Sequence, residues 1–197
     1  MFSTDEISRS TGAAWALFKG DPQGLRQLDL SFSGFWRSFG VIVLILPAFG
    51  IALAAERQHI LAATPVDAET FPASAFLVAS LVTLILDWLD YPILLALLAR
   101  PLGLQRTYVP LIVALNWAQL LAVLPIVAPS LLYLLGIIGY EAEEILMLIG
   151  FGVVLRYQFV ITRIATGAPV GFVAGLVVLD LVSGMLVRVL VQAVVGI

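Results

Sequence analysis

The sequence predicts an all-α integral membrane protein, five transmembrane helices preceded by a short amphipathic amino-terminal helix. Three observations predict it. Hydrophobic residues make up 61% of the 197 positions and charged residues 12%, about half the charged share of an ordinary soluble domain. Mean hydropathy is +1.08, and the apolar residues gather into runs of about 20 or more, the length that crosses a hydrocarbon core. Lysine and arginine fall almost entirely in alternate connecting segments. Residues 1–30 read as a cytoplasmic interfacial segment and residues 31–197 as the transmembrane domain. That division leaves little chain for a soluble catalytic domain.

The elements follow in order. Ser3 with Glu6 three residues later has the form of a capping box, and Ile7, Ala14, Trp15 and Phe18 recur at helical spacing. A short helix follows, lying on the membrane surface or packed as a cap on the bundle, with Trp15, Phe18 and Trp36 as interfacial anchors. Gly20 and Pro22 stop it. With Asp5 and Glu6 where a basic region would stand, it is expected to be retained rather than cleaved as a signal. The first span is expected over residues 34–55, bent at Pro47, then a polar loop over 56–70 that carries Arg57 and His59. A second span over 72–99 holds Asp87, Asp90 and Pro92, and a basic loop with Arg100 and Arg106 leads to a third over 108–137, bent at Pro125 and Pro129. A hairpin with Glu141, Glu143 and Glu144 precedes a fourth span over 144–164, and the fifth runs from 169 to the carboxyl end. No internal repeat is visible, against an inverted-repeat transporter.

Arg9, Lys19, Arg26, Arg37, Arg100, Arg106 and Arg163 fall on one side of this arrangement and Arg57 alone on the other. The positive side is cytoplasmic. A bacterial inner membrane is the expected location, with the amino terminus in the cytoplasm and the carboxyl terminus outside.

Asp87, Asp90, Asn116, Gln119, Arg156 and Asp180 lie inside the apolar runs. At 1.5 Å per helical residue all six fall roughly 12 to 18 Å from the cytoplasmic ends of their spans, an intramembrane polar layer. Asp87 and Asp90 share a helix face, as do Asn116 and Gln119, each pair being three apart. Ionisable groups at that depth face one another or a wet cavity, because exposure to lipid costs about 3 kcal/mol. Three carboxylates against one guanidinium leave negative charge over, so the layer either recruits a proton or cation or, as helix glue, hydrogen-bonds neutral acids. Arg188 lies closer to the outer surface and is expected only to snorkel. Gly171, Gly175 and Gly184 suggest close helix packing, within the bundle or in a dimer.

Several classes are excluded. Cysteine is absent and His59 is the lone histidine, so a Cys/His metal centre has no ligands; no metal or cofactor is expected. No GxSxG, HExxH or glycine-rich phosphate loop occurs. Two aspartates on different helices could serve an aspartyl mechanism, but Leu86-Asp87-Trp88 and Leu179-Asp180-Leu181 lack a glycine-rich setting. The chain reads as non-enzymatic. Its net charge of −3 averages polarised loops and suggests no nucleic-acid partner.

The run Leu28-Asp29-Leu30-Ser31-Phe32-Ser33-Gly34-Phe35-Trp36 resembles the Asp-Leu-x-Gly-Pro-x-Trp stretch that leads into the first helix of Yip1-domain proteins, although residues are inserted and no proline follows Gly34. Tyr108-Val109-Pro110 before Ala114-Leu115-Asn116-Trp117 is also similar to small bacterial members. The resemblance implies an organising or partner-binding membrane protein working through its basic cytoplasmic face; in that family eukaryotic members partner small GTPases, and no GTPase-binding residue carries over. The alternatives are a small proton- or cation-coupled transporter or channel using the polar layer, and an accessory subunit of a membrane complex. The expected partners are the lipid bilayer and a membrane protein or a second copy of the chain.

Overall fold

The structure, a computed structural model, describes residues 2–195. Those residues fold as nine helices: α1 (Thr4–Phe18), α2 (Gln23–Gln27), α3 (Phe32–Ser38), α4 (Val41–Ala63), α5 (Ala73–Leu98), α6 (Tyr108–Ala122), α7 (Leu124–Leu134), α8 (Tyr140–Thr166) and α9 (Val170–Val195). Five helical stretches are long and apolar enough to cross a membrane: α3 with α4, α5, α6 with α7, α8, and α9.

Local chemistry sets the ends of the amino-terminal helices. The Ser3 hydroxyl accepts from the Glu6 amide at 3.1 Å and starts α1. The Ser31 hydroxyl does the same for Gly34 at 3.1 Å and starts α3. Asp29 accepts from the Ser31 amide at 3.0 Å and pairs with Arg37 at 2.5 Å, while Arg37 also reaches Glu6 at 3.2 Å. A Cβ on Gly34 would overlap the Asp29 carbonyl, so only glycine lets α3 close on the segment before it.

Several boundaries differ from the sequence expectation. Residues 56–63 continue α4 instead of opening a loop, which places His59 on a helix. Glu141, Glu143 and Glu144 likewise belong to the first turns of α8 and not to a hairpin. Carboxylates in a first turn complement the helix dipole, a use that their polarity alone does not reveal. The third span breaks at Val123, between α6 and α7, with Pro125 in the first turn of α7 and Pro129 inside that helix. Proline in a first turn loses no intrahelical bond.

Helix α6 is the hub, touching α1, α3, α4, α7 and α8 and burying Leu111, Ile112, Val113, Ala114, Trp117 and Ala118. Helix α5 packs mainly on α9 and only sparsely on α6, whereas α8 joins α9 to α6. Around this core the outward faces are apolar, as with Val78, Ile85 and Ile93 on α5 and Leu148, Met185 and Val189 on α8 and α9. Exposed large apolar side chains in such number suit lipid and not water. Helix α1 packs on α6 and α8, burying Ala13, Ala14 and Leu17 while Trp15 stays half exposed. Leu17 and Leu28 share one core with Tyr91, Leu95 and Tyr157.

Candidate functional site

Helices α5, α6, α8 and α9, with Ile45 of α4, line a half-open cavity of about 300 Å³ where the sparse α5–α6 contact leaves a seam. Four residues of the expected polar layer line it: Asp87 from α5, Asn116 and Gln119 from α6, and Asp180 from α9. The rest of the wall includes Trp88, Tyr91, Phe151 and Gln158, and none of its side chains is a lysine, arginine or histidine.

Each polar residue has a definable place. The Gln158 side-chain amide donates to the Asp180 carboxylate, tying α8 to α9. Arg188, one more α9 residue, donates through Nε to Asp87 Oδ2 at 3.3 Å. The other oxygen of Asp87 is buried without a partner, and Gly184 lies opposite it, at a spot where an added Cβ would sit 4.0 Å away. Asp90 turns its carboxylate to the backbone amide of Tyr91, leaving Oδ2 buried and unpaired. It does not line the cavity. Asn116 donates to Ser38 Oγ at 2.9 Å, and Ser38 donates to the Phe35 carbonyl at 2.7 Å, so this amide fastens α3 to α6 as well as facing the cavity. Tyr91 Oη donates to the Leu176 carbonyl at 3.2 Å, and Tyr108 Oη to that of Pro92 at 3.0 Å. The indole N–H of Trp88 is buried and unpaired.

Arg156 does not join this group. It is exposed, donates to the Phe18 carbonyl at 3.1 Å and lies over the Phe18 ring at 5.9 Å. The physical reason is α1: it packs beside this part of α8, with Tyr157 Oη donating to the Ala14 carbonyl at 2.6 Å, and offers Arg156 the free acceptors at its own carboxyl end. Depth counting assumed lipid or bundle there. The cation that does meet the acidic group is Arg188, which the sequence reading had assigned no such part. The glycines also need correction. Cβ atoms at Gly171 and Gly175 would meet nothing within 4 Å, so neither mediates helix contact within the bundle. Glycines that do include Gly150, where a Cβ would lie 2.6 Å from the Pro125 carbonyl oxygen, and Gly24, where it would lie 2.5 Å from that of Ala13.

Two features went unread in the sequence. Gln158 is one, an amide among the helical neighbours Val154, Leu155 and Ile161 that line the cavity. At the far end of the bundle His59 Nε2 meets Glu143 Oε2 at 2.7 Å, with Glu143 2% exposed and its second oxygen unpaired. The His59 ring sits 4.5 Å from that of Tyr133 and 5.0 Å from that of Tyr140. This joins α4, α7 and α8. No grouping of three or more histidine, aspartate or glutamate side chains suited to a metal ion occurs among the described residues.

Among the anchors named from the sequence, Trp15 stacks on Phe18 at 5.3 Å with Lys19 over the Trp15 ring at 6.0 Å, and Trp36 is 60% exposed. Compared with protein-family models, curated proteins and solved structures, the chain matches none.

Proposed function

We propose that the chain is a non-enzymatic, multi-pass protein of a bacterial inner membrane that passes a proton or cation through the acidic cavity, as a small transporter or channel. The observation that carries the reading is a cavity of about 300 Å³ with two carboxylates in its wall and no cation among its described lining residues. Intramembrane carboxylates beside a cavity are costly to keep and commonly mark ion or proton routes. Asp180, held by Gln158, and Asp87, held on one oxygen by Arg188, are the groups that would carry the cation.

The test is flux in vesicles holding the purified full chain, read with a pH dye and with sodium and potassium electrodes. Flux is expected, and Asp180→Asn or Asp87→Asn should abolish it in protein that still elutes as the wild type does. A second reading, a Yip1-like organiser, draws on the cytoplasmic segment, where Asp29, Gly34 and Arg37 form a tight lead-in to the first span. Trp15, Phe18 and Trp36 would then anchor α1 and α3 at the interface. Silent vesicles, together with a partner recovered at fixed ratio from the native membrane, would replace the first reading by this one, or by an accessory-subunit role.

A further inference from the structure

Resting on the cation reading just given, we infer that the ligand of the cavity is an organic ammonium ion, and that Arg188 is the resident cation it displaces. Size leaves room for more than a bare inorganic ion. A cavity of about 300 Å³ has room for several waters or a compact organic skeleton, a water taking about 30 Å³. Much of the wall is hydrocarbon, from Leu84, Ile112, Leu155 and Leu181, which suits a carbon framework and not a hydration shell. Charge argues against an anion, because Asp87 and Asp180 are the only charged side chains lining the space among the described residues. The aromatic side chains Trp88, Tyr91 and Phe151 complete it. Carboxylate and ring faces together are the surroundings that recognise an alkylated ammonium.

Arg188 supplies the exchange. Its side chain is 69% exposed and holds Asp87 through one long contact of 3.3 Å, with the other carboxylate oxygen unpaired. A guanidinium so loosely held can swing away as the ligand's charge arrives, leaving the count of charges at Asp87 unchanged. No covalent step is involved.

The experiment is titration calorimetry of the purified full-length protein in detergent with benzyltrimethylammonium, and with benzenesulfonate as the oppositely charged control. Saturable binding of the ammonium alone is expected. Asp180→Asn should weaken it at least tenfold and Trp88→Leu several-fold, while Arg188→Gln, an exposed change that spares the core, should tighten it about threefold. Binding that ignores both Asp180→Asn and Arg188→Gln, or equal binding of the sulfonate, overturns the inference. Absence of ammonium binding in protein whose vesicle flux still depends on Asp180 overturns the ligand class and leaves the cation reading standing. Absence of both overturns the two together.

Discussion

At the scale of single residues, geometry separates groups that look alike in the sequence. Asp29 and Asp180 are both aspartates beside apolar segments, yet Asp29 is embedded in donors: the Ser31 hydroxyl and amide and the Arg37 guanidinium hold its carboxyl below the usual carboxylate range. A lowered folded-state value stabilises the fold above the unfolded value near 3.8, and that contribution is lost as pH falls through the folded value. The expected outcome is an acid limb: below pH 4 the wild type in detergent loses more unfolding free energy than Asp29→Asn does, by less than about 1 kcal/mol because Asp29 and Arg37 are both partly open to solvent. Parallel curves would mean the network adds nothing. Residue identity revealed that Asp87, Asn116, Gln119 and Asp180 had to be sheltered from lipid, and they do share one cavity. Depth along the helix puts Arg156 in that group and Arg188 outside it, the reverse of their contacts, since both are lone arginines in apolar helices and only the neighbours differ. The neighbour of Arg156 is α1, a helix whose docking site leaves no mark in the local pattern.

At the scale of elements, hydropathy located the long helices because each apolar run must be about as long as the bilayer is thick. Their polar extensions were harder to read. Helical turns such as 56–63 and 140–144 carry charges that resemble loop composition, although His59 and Glu143 pair across them. Helix contacts were not legible either, since small residues are frequent in membrane helices whether or not they touch. The three glycines Gly150, Gly171 and Gly175 make this testable. At Gly150 an alanine Cβ would lie 2.6 Å from the Pro125 carbonyl oxygen and 3.1 Å from the Pro125 Cβ, so α7 and α8 must separate, at a cost of about 1 to 3 kcal/mol. At Gly171 and Gly175 the same change meets open space and should be neutral or mildly stabilising through helix propensity, which favours alanine by up to about 1 kcal/mol. Detergent unfolding midpoints of Gly150→Ala and of Gly171→Ala with Gly175→Ala would decide it. A loss in the double variant equal to that at Gly150 would show that α9 packs on a partner through those glycines.

At the scale of the whole molecule, the arrangement is a hub with an attached pair. Helices α1, α3, α4, α7 and α8 surround α6, and α5 with α9 leans on this body chiefly through α8. The cavity lies where the two meet. The direction from which it opens depends on orientation. Helix α1 docks on the end of α8 that carries Arg163, and the loop between α5 and α6, with Arg100 and Arg106, lies at that same pole because α5 ends there and α6 begins there. Seven of the basic residues therefore gather at one end of the bundle and Arg57 stands at the other, an asymmetry that favours a cytoplasmic amino terminus. Because the chain has no cysteine, a single introduced thiol reports its side of the membrane without background. Gln105→Cys, in the α5–α6 loop, should react with an impermeant maleimide only after the cells are permeabilised, and Ala68→Cys, between α4 and α5, should react in intact cells. The opposite pattern would invert the molecule. It would place Arg188, which lies towards the pole away from α1, on the cytoplasmic side of Asp180, so that a ligand displacing it would enter from within the cell instead of from outside.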